Sequence, residues 1–314
     1  MLSYILKRLA TLIPTWITVA FIAFIIINMA PGDPAAILAG TDAADSMEAI
    51  RAQLGLDKPA VERFLIWIGN VFRGDFGDSY FMGQSVKDAI IQRLPVTFSL
   101  ALVSLIMAAA IGVPLGLIAS LKPNSLRDTS IMGVSLIGLS TPEFFLGFIL
   151  IYLFALVFPI FEVGGYVPMA EGFFEWLRHL ILPSFSLGFI WASFIARVTR
   201  SSMLEALNQD YVMTARAKGQ REFVVITKHA FRNAVLPLIT ALGMVFALLL
   251  TGAFITEVLF RIPGAGNLIV NAIKRRDYPV VQGALLVFST AVLLVNLIVD
   301  ILYSIVDPRV KYGK

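Results

Sequence analysis

Long apolar runs limit the fold of this chain more than any other feature. Six stretches are almost continuously apolar over about 20 residues, the length that a helix needs to cross a bilayer. They lie at residues 9–30, 95–121, 129–158, 183–200, 234–256 and 283–306. They lack the alternation of barrel strands, and a backbone in lipid must satisfy its own hydrogen bonds. The pattern therefore predicts an all-α integral membrane protein with six transmembrane helices.

Composition excludes several classes of function. The chain is 58% hydrophobic and only 15% charged, which is unusual for a water-soluble domain. It has no cysteine, and its two histidines, His179 and His229, lie far apart, so thiolate or histidine metal sites are not expected. No P-loop, GxSxG or HExxH motif occurs. We therefore expect no catalytic, cofactor-binding or metal-binding residue, and no ATP binding through a P-loop.

The distribution of basic residues predicts the orientation. Lys and Arg cluster at the chain ends and in the second and fourth loops, which favours cytoplasmic N- and C-termini. The basic run Lys274–Arg276 is an exception, because it falls in a loop predicted to lie outside. Since the net charge of +4 follows from topology, nucleic acid is not an expected partner, whereas membrane lipid is.

The same pattern divides the chain into regions. We expect an anchor helix at 1–30, an extracytoplasmic helical region at 31–94, a membrane core at 95–306 and a cytoplasmic tail at 307–314. Within the outer region, helical spacing predicts a helix at about 43–56, a second that starts after Asp57 with Pro59 near its first turn and runs to Gly74, and a third at about 85–94 that leads into the second span.

The most polar cytoplasmic segment, residues 201–233, has the pattern of a helix, a turn and a second helix. A short helix is predicted from Tyr211 to Lys218, and Gly219 suits a left-handed C-terminus. Its small, aromatic and basic side chains suit a docking element, although a basic loop that only sets topology and contacts lipid has the same composition. The candidate docking residues are Tyr211, Thr214, Ala215, Arg216, Ala217, Lys218, Gly219 and Arg221.

Polar or kinked positions inside the spans are the candidates for a translocation path. Pro142 interrupts the third span, and Glu143 follows it directly, while Asp300 lies in the last span. Ionisable residues at membrane depth are commonly functional, although each can also be a paired structural group. Proline is common in membrane helices of every function, so Pro142 alone is weak support.

The cytoplasmic segment resembles a known motif. YVMTARAKG at 211–219, followed by HAFRNAVLPLIT at 229–240, is similar to the EAA loop of ABC importer permeases in its dipeptide and oligopeptide form. The general motif has Glu-Ala-Ala, three residues and Gly. Counting back from Gly219 gives Met213, Thr214 and Ala215, so the Glu is absent, as in the peptide branch. The resemblance implies that this loop is a coupling helix that sits in a groove of the ATPase.

The resemblance extends along nearly the whole chain. Further segments similar to the family, in order, are MAPGDP at 29–34, LGLDKP at 54–59, GDFGDSY at 74–80, RLPVTFSL at 93–100, FRIPGAGNL at 260–268, RRDYPVVQG at 275–283 and VDPRV at 306–310. It implies the MetI-like fold of type I ABC importer permeases. It also implies a second homologous permease subunit in a heterodimer, two cytoplasmic ATPase subunits and an extracytoplasmic substrate-binding protein.

The resemblance predicts import of dipeptides or oligopeptides across the inner membrane by alternating access. Import of nickel chelates, glutathione or another small solute is the nearest alternative, because such systems share these signatures. An ion-driven secondary transporter is a more distant alternative, supported only by the two intramembrane acids. A membrane-embedded enzyme is disfavoured by the absence of a catalytic constellation.

Overall fold

The computed structural model describes residues 2–29, 35, 48, 50–52 and 55–306, without the side chains of 2–10, 26–29, 300 and 302–306. Within these residues the ordered elements are helical, apart from a single bridge between Asp78 and Ser85. Ten α-helices are numbered here: α1 Leu2–Met29, α2 Ala60–Phe72, α3 Val86–Leu121, α4 Leu126–Ser140, α5 Glu143–Ile151, α6 Phe173–Leu207, α7 Asp210–Ala217, α8 Arg232–Leu259, α9 Ala265–Arg275 and α10 Tyr278–Val306.

Several of these helices are long and apolar enough to cross a bilayer. They are α3, α6, the segment Glu222–Leu259 that contains α8, and Tyr278–Val299 of α10. The pair Leu126–Ser140 and Glu143–Val157 makes a fifth if it is one span bent by 98°, and α1 contributes the shorter apolar stretch Thr11–Ile25. The six predicted spans fall on these helices, which confirms the all-α membrane fold.

Two expectations differ from the structure in their boundaries, and one helix was not predicted. The predicted outer helix at 85–94 is not a separate element, because α3 runs without interruption from Val86 into the membrane span. The fourth span extends at both ends, to Phe173 and Leu207. The fifth loop contains the amphipathic helix α9, whose buried apolar residues lie on one face; this periodic pattern is a helix signal that the sequence analysis did not use.

The part of the chain before Asp57 is only partly described. Most of the predicted helix at 43–56 and the whole tail at 307–314 lie outside the described residues, as does most of the MAPGDP segment. The next predicted outer helix is confirmed as α2, which Pro59 precedes as the N-cap. Proline suits this position because its fixed φ matches a helix entry and no helical hydrogen bond is lost.

The described chain divides into two compact units. One contains Leu2–Pro95 and Pro263–Leu293, and the other contains Val96–Ile262 together with the chain from Leu294 onward. In the first unit α1 and α2 pack through aromatic rings, among them Phe24 and Phe64 with centroids 5.4 Å apart, and the indole of Trp16 donates a 2.8 Å hydrogen bond to Thr290 Oγ1. The ring contacts hold α2 on the anchor helix α1, and the hydrogen bond joins α1 to α10.

In the second unit the helices α3, α4, α6 and α8 pack closely through small residues. A Cβ built on Gly116 of α3 would lie 2.4 Å from the carbonyl oxygen of Ala196 on α6, so only glycine allows this approach. Small residues serve this purpose in membranes, where close contact replaces the hydrophobic effect as the driving force between helices. This packing places the C-terminal end of α6, and the loop that follows it, in a defined position.

Candidate functional site

The segment after α6 forms the helix–turn–helix that the sequence predicts. α7 runs from Asp210 to Ala217, and Gly219 follows with φ of +73°. The amide of Gly219 donates to the carbonyl of Arg216 over 2.9 Å, which closes the helix end. A short helical turn, Glu222–Val224, and a π-helical segment, Val225–Phe231, then lead into α8. The predicted left-handed helix end at Gly219 is therefore confirmed.

One face of α7 anchors the element on its own chain. Val212 and Ala215 are buried in a cluster that also contains Met203, Ala206 and Val225. Their spacing of three residues places both side chains on the same side of the helix. Burial of this face explains why so short a helix, marginal in isolation, holds a fixed orientation.

The other face of α7 is exposed. Seven of the eight candidate docking residues lie on the surface: Tyr211, Thr214, Arg216, Ala217, Lys218, Gly219 and Arg221. Ala215 differs from them, because its methyl group packs into the cluster of its own chain. The sequence pattern made no distinction between Ala215 and Ala217, whereas the structure puts them in opposite environments.

Two polar contacts close the turn between the helices. The guanidinium of Arg216 donates to both carboxylate oxygens of Glu222, over 2.7 Å and 3.2 Å. This hydrogen-bonded carboxylate raises the pKa of Arg216 above its ordinary value. His229 Nε2 and Gln220 Oε1 lie 2.7 Å apart. Glu222 thus partly neutralises the charge of Arg216 within the element, whereas the side chains of Lys218 and Arg221 are exposed at the surface.

Sequence analysis missed one exposed residue of this element. Phe223 lies just after the turn, and 76% of its surface is exposed. Met213 and Tyr211 on α7 are also exposed apolar side chains, at 54% and 39%. Exposed aromatic residues beside basic ones are typical of interface anchors. The sequence contained one signal of this exposure, because Phe223 directly follows three polar residues. It lies at the start of a helical segment whose other apolar residues face inward.

The break in the third span places Pro142 and Glu143 together. Thr141 and Pro142 are extended, with φ of −87° and −61°, and Glu143 begins α5. Pro142 is exposed and Glu143 is half-buried. The hydroxyl of Ser186 on α6 donates to the carbonyl of Glu143 over 2.9 Å and so fixes the backbone at the break. Asp300 lies on α10, but its side chain is outside the described part of the structure.

In the unit formed by Leu2–Pro95 and Pro263–Leu293, a buried carboxylate ties two loops together. Asp277 accepts hydrogen bonds from the hydroxyl of Ser79 and, over 3.2 Å, from the amide of Tyr80. Burial raises the pKa of Tyr80 to about 12, and the negative charge of Asp277 acts in the same direction. The pair belongs to two of the family-like segments, and sequence analysis did not single out either residue.

The basic run precedes this carboxylate. Lys274 and Arg275 lie in the last turn of α9, where the negative end of the helix dipole stabilises their positive charges. Arg276 caps the helix in the left-handed region, with φ of +58°. All three side chains are exposed, as is Ile273 beside them.

Comparison with known families matches nearly the whole chain, in two parts. Residues 112–312 match the family described as binding-protein-dependent transport system inner membrane component. Residues 1–101 match the N-terminal region of the corresponding membrane components. Together the two matches include the helix–turn–helix, the loop that bears the basic run and all of the predicted spans except residues 102–111 of the second.

Named relatives are similar over their full length. A Brucella abortus (strain 2308) protein, provisionally named a peptide transport system permease, is 43% identical over 313 residues, covering 99% of this chain and all of the relative. The glutathione transport system permease of Escherichia coli (strain K12) is 41% identical, with the same coverage. An inward-facing MetNI methionine ABC transporter structure has a TM-score of 0.55 at 16% identity, covering 69% of this chain and 96% of that one, which shows the fold.

Proposed function

Because the chain belongs to the family of binding-protein-dependent inner-membrane transport components, we propose that it imports peptides as one membrane subunit of an ATP-driven transporter. Membership of the family makes the chain an ABC importer permease, without a catalytic role of its own. The observation that carries the peptide assignment is its 43% identity, over 99% of its length, with a relative named for peptide transport.

The coupling element of this transporter is residues 210–223. Its inner face is held by Val212 and Ala215, and its outer face presents Tyr211, Lys218 and Phe223 to the cytoplasm. A rigid protrusion with an apolar and basic surface suits a groove in an ATPase subunit. When two such ATPases close on ATP, the element passes the movement to α6 and α8, to which it is joined.

The remaining partners and the orientation of the chain belong to the same proposal. The chain pairs with a second homologous permease subunit, and each contributes one coupling element to one of two ATPases. Both termini lie in the cytoplasm, which puts α9 on the outer face. Lys274, Arg275 and Arg276 then form a basic edge where an acidic surface of a substrate-binding protein docks.

Glu143 and Pro142 belong to the translocation path. The 98° bend at this point opens the third span in the middle, and a half-buried carboxylate stands at the opening. A carboxylate there favours substrates that carry a free amino group. Glu143→Gln should reduce peptide uptake at unchanged ATP hydrolysis, whereas the exposed Glu171→Gln serves as a control and should leave both unchanged. Equal uptake by the two variants would remove Glu143 from the path.

A second candidate substrate is glutathione. The Escherichia coli relative is named for glutathione transport and is 41% identical over 99% of this chain. Substrate choice in such a system rests largely with the separate binding protein, so the membrane subunit accepts related small peptides. Competition between labelled dipeptide, oligopeptide and glutathione for uptake separates these candidates.

The proposed function is tested by reconstitution. The complex of this chain with its second permease, ATPases and binding protein is placed in proteoliposomes with labelled peptide. We expect uptake that requires ATP and the ATPase subunits and that persists when ionophores dissipate ion gradients. Uptake by the two permease subunits alone, driven by a proton or sodium gradient, would instead establish a secondary transporter and refute the proposal.

A further inference from the structure

A buried ion pair joins the cytoplasmic ends of α4 and α6. The guanidinium of Arg200 donates from Nε to Asp128 Oδ1 over 2.5 Å and from a terminal nitrogen to Oδ2 over 2.6 Å. Only 4% of the Asp128 side chain and 24% of the Arg200 side chain are exposed. A bidentate pair with so little solvent has a defined geometry, unlike the flexible pairs of a protein surface.

The loop before α4 adds to this geometry. The amide of Asn124 donates to Asp128 Oδ2 over 2.8 Å, and Ser125 caps the helix by accepting from the amide of Asp128. Asp128 therefore receives hydrogen bonds from its own loop and from α6 at once. The carboxylate has at least three donors, which is the condition under which a buried charge is stable.

α4 and α6 also touch at the other end of α4. A Cβ on Gly138 would lie 2.2 Å from Ser193 Oγ, so the backbone of α4 packs closely against a side chain of α6 there. Asp128 and Gly138 are separated by ten residues, or about 15 Å along the helix axis. Two contacts at this separation prevent α4 from tilting against α6.

Each of the two helices leads to a segment that has a role in the proposed transport mechanism. α6 ends at Leu207, three residues before the coupling helix α7 begins. α4 ends at Ser140, directly before the break that carries Pro142 and Glu143. We propose that the Asp128–Arg200 pair is a positioning link that makes α4 follow α6, so that movement of the coupling element reaches the break.

This inference rests on the proposed transport function, and it assigns to Asp128 and Arg200 a role beyond stability. If they only stabilise the fold, their loss lowers the amount of active complex, and uptake and ATP hydrolysis fall together. If they form the link, ATP hydrolysis continues without them, but movement of the coupling element no longer reaches the break at Pro142 and Glu143. The quantity that separates these cases is the number of peptides imported per ATP hydrolysed.

The experiment uses the complete complex in proteoliposomes with labelled dipeptide. The variants are Asp128→Asn, which keeps the size and removes the charge, and Arg200→Ala. Lys58→Ala is the matched control, because it removes an exposed ion pair with Glu62 at 3.0 Å. We expect peptides per ATP to fall about fivefold or more in the first two variants and to stay unchanged in the control.

A reversible cross-link distinguishes loss of the link from general damage to the variant protein. The chain has no cysteine, so Gly138→Cys and Ser193→Cys can be introduced into the Arg200→Ala background without other thiols in this subunit. The Cβ positions lie 3.2 Å apart, close to the range of about 3.5–4.5 Å found in disulfides. Oxidation should restore peptides per ATP, and reduction of the same liposomes should lower it again.

The outcomes are separable. An unchanged ratio in Asp128→Asn and Arg200→Ala overturns the link while leaving the transport function intact. Parallel loss of uptake and ATP hydrolysis, with no recovery on oxidation, also overturns it. If the wild-type complex itself shows no ATP-dependent uptake, the proposed function fails, and the inference fails with it.

Discussion

Two alanines of α7 provide a direct test of the coupling assignment. Ala215 is buried in the cluster around Val212 and Met203, whereas Ala217, two residues later, is exposed. The perturbation is the same substitution at each site, Ala215→Leu and Ala217→Leu. Alanine and leucine have similar helix propensities, so any difference between the variants comes from the surroundings of the side chain.

The expected effects on stability differ in size. Leucine at Ala215 adds three carbon atoms to a packed core, and such overpacking costs about 1–3 kcal/mol. Leucine at Ala217 points away from the chain, and a surface substitution of this kind changes stability by about 0.5 kcal/mol or less. Ala215→Leu should therefore lower the unfolding temperature by several degrees, and Ala217→Leu should leave it unchanged.

For coupling, the substitution at the exposed Ala217 is the one expected to have a direct effect. If the outer face of α7 sits in an ATPase groove, leucine at Ala217 obstructs that contact. We expect the affinity for the ATPase subunit to fall about tenfold or more, which corresponds to about 1.4 kcal/mol. Uptake should fall with it, although the isolated subunit is as stable as the wild type.

Both quantities can be measured on purified protein. Tryptophan fluorescence reports unfolding in detergent, since the chain has four tryptophans and no cysteine for thiol-reactive dyes. ATPase binding is measured with immobilised permease complex, and uptake in proteoliposomes. Normal ATPase binding and uptake by Ala217→Leu would refute the coupling assignment, and equal destabilisation of both variants would refute the packing of α7.

Three further predictions concern stability. Asp277→Ala leaves the Ser79 hydroxyl and a backbone amide without their acceptor, so the unfolding temperature should fall by an amount corresponding to about 1–3 kcal/mol per group, and less in Asp277→Asn. Because the folded-state pKa of Tyr80 is about 12 and the ordinary value is 10.0, its contribution is complete below pH 10 and declines by about 1.4 kcal/mol per pH unit up to pH 12. Tyr80→Phe should flatten the fall in unfolding temperature between pH 9.5 and 11.5, and an unchanged slope would contradict this prediction. Gly116→Ala should destabilise the protein or prevent its assembly, because its Cβ would meet a carbonyl oxygen at 2.4 Å, whereas the Cβ of Gly133→Ala would meet nothing within 4 Å, so this variant should not lower the unfolding temperature in the same fluorescence assay.

The membrane fold was predictable from the sequence because the bilayer imposes a length and a composition on each span. The runs at 95–121 and 234–256, for example, fall within α3 and α8. The ends of helices were less predictable. α3 begins at Val86 because Ser85 caps it, while the polar residues of its first turns had suggested a separate element.

The helix–turn–helix after α6 was predictable in outline, because its signals are local. A short helix ended by Gly219 needs only the propensities of its own residues and a left-handed terminus. The side that faces inward was not predictable, since burial of Ala215 depends on Met203 and Val225, which reach it from neighbouring elements. Phe223 was overlooked for the same reason, because exposure is a property of the packed chain.

The sequence by itself determined that the chain is helical, lies in a membrane and carries the motifs of a peptide-type permease. Hydropathy and short motifs depend only on residues that are close together in the chain. The tertiary structure alone decided which distant polar groups meet. Asp128 pairs with Arg200, 72 positions away, and Asp277 pairs with Ser79, 198 positions away. No local pattern encodes such pairs, because a buried charge selects its partner through the packing of whole helices. The proposed link between the coupling element and the broken span depends on one of these pairs.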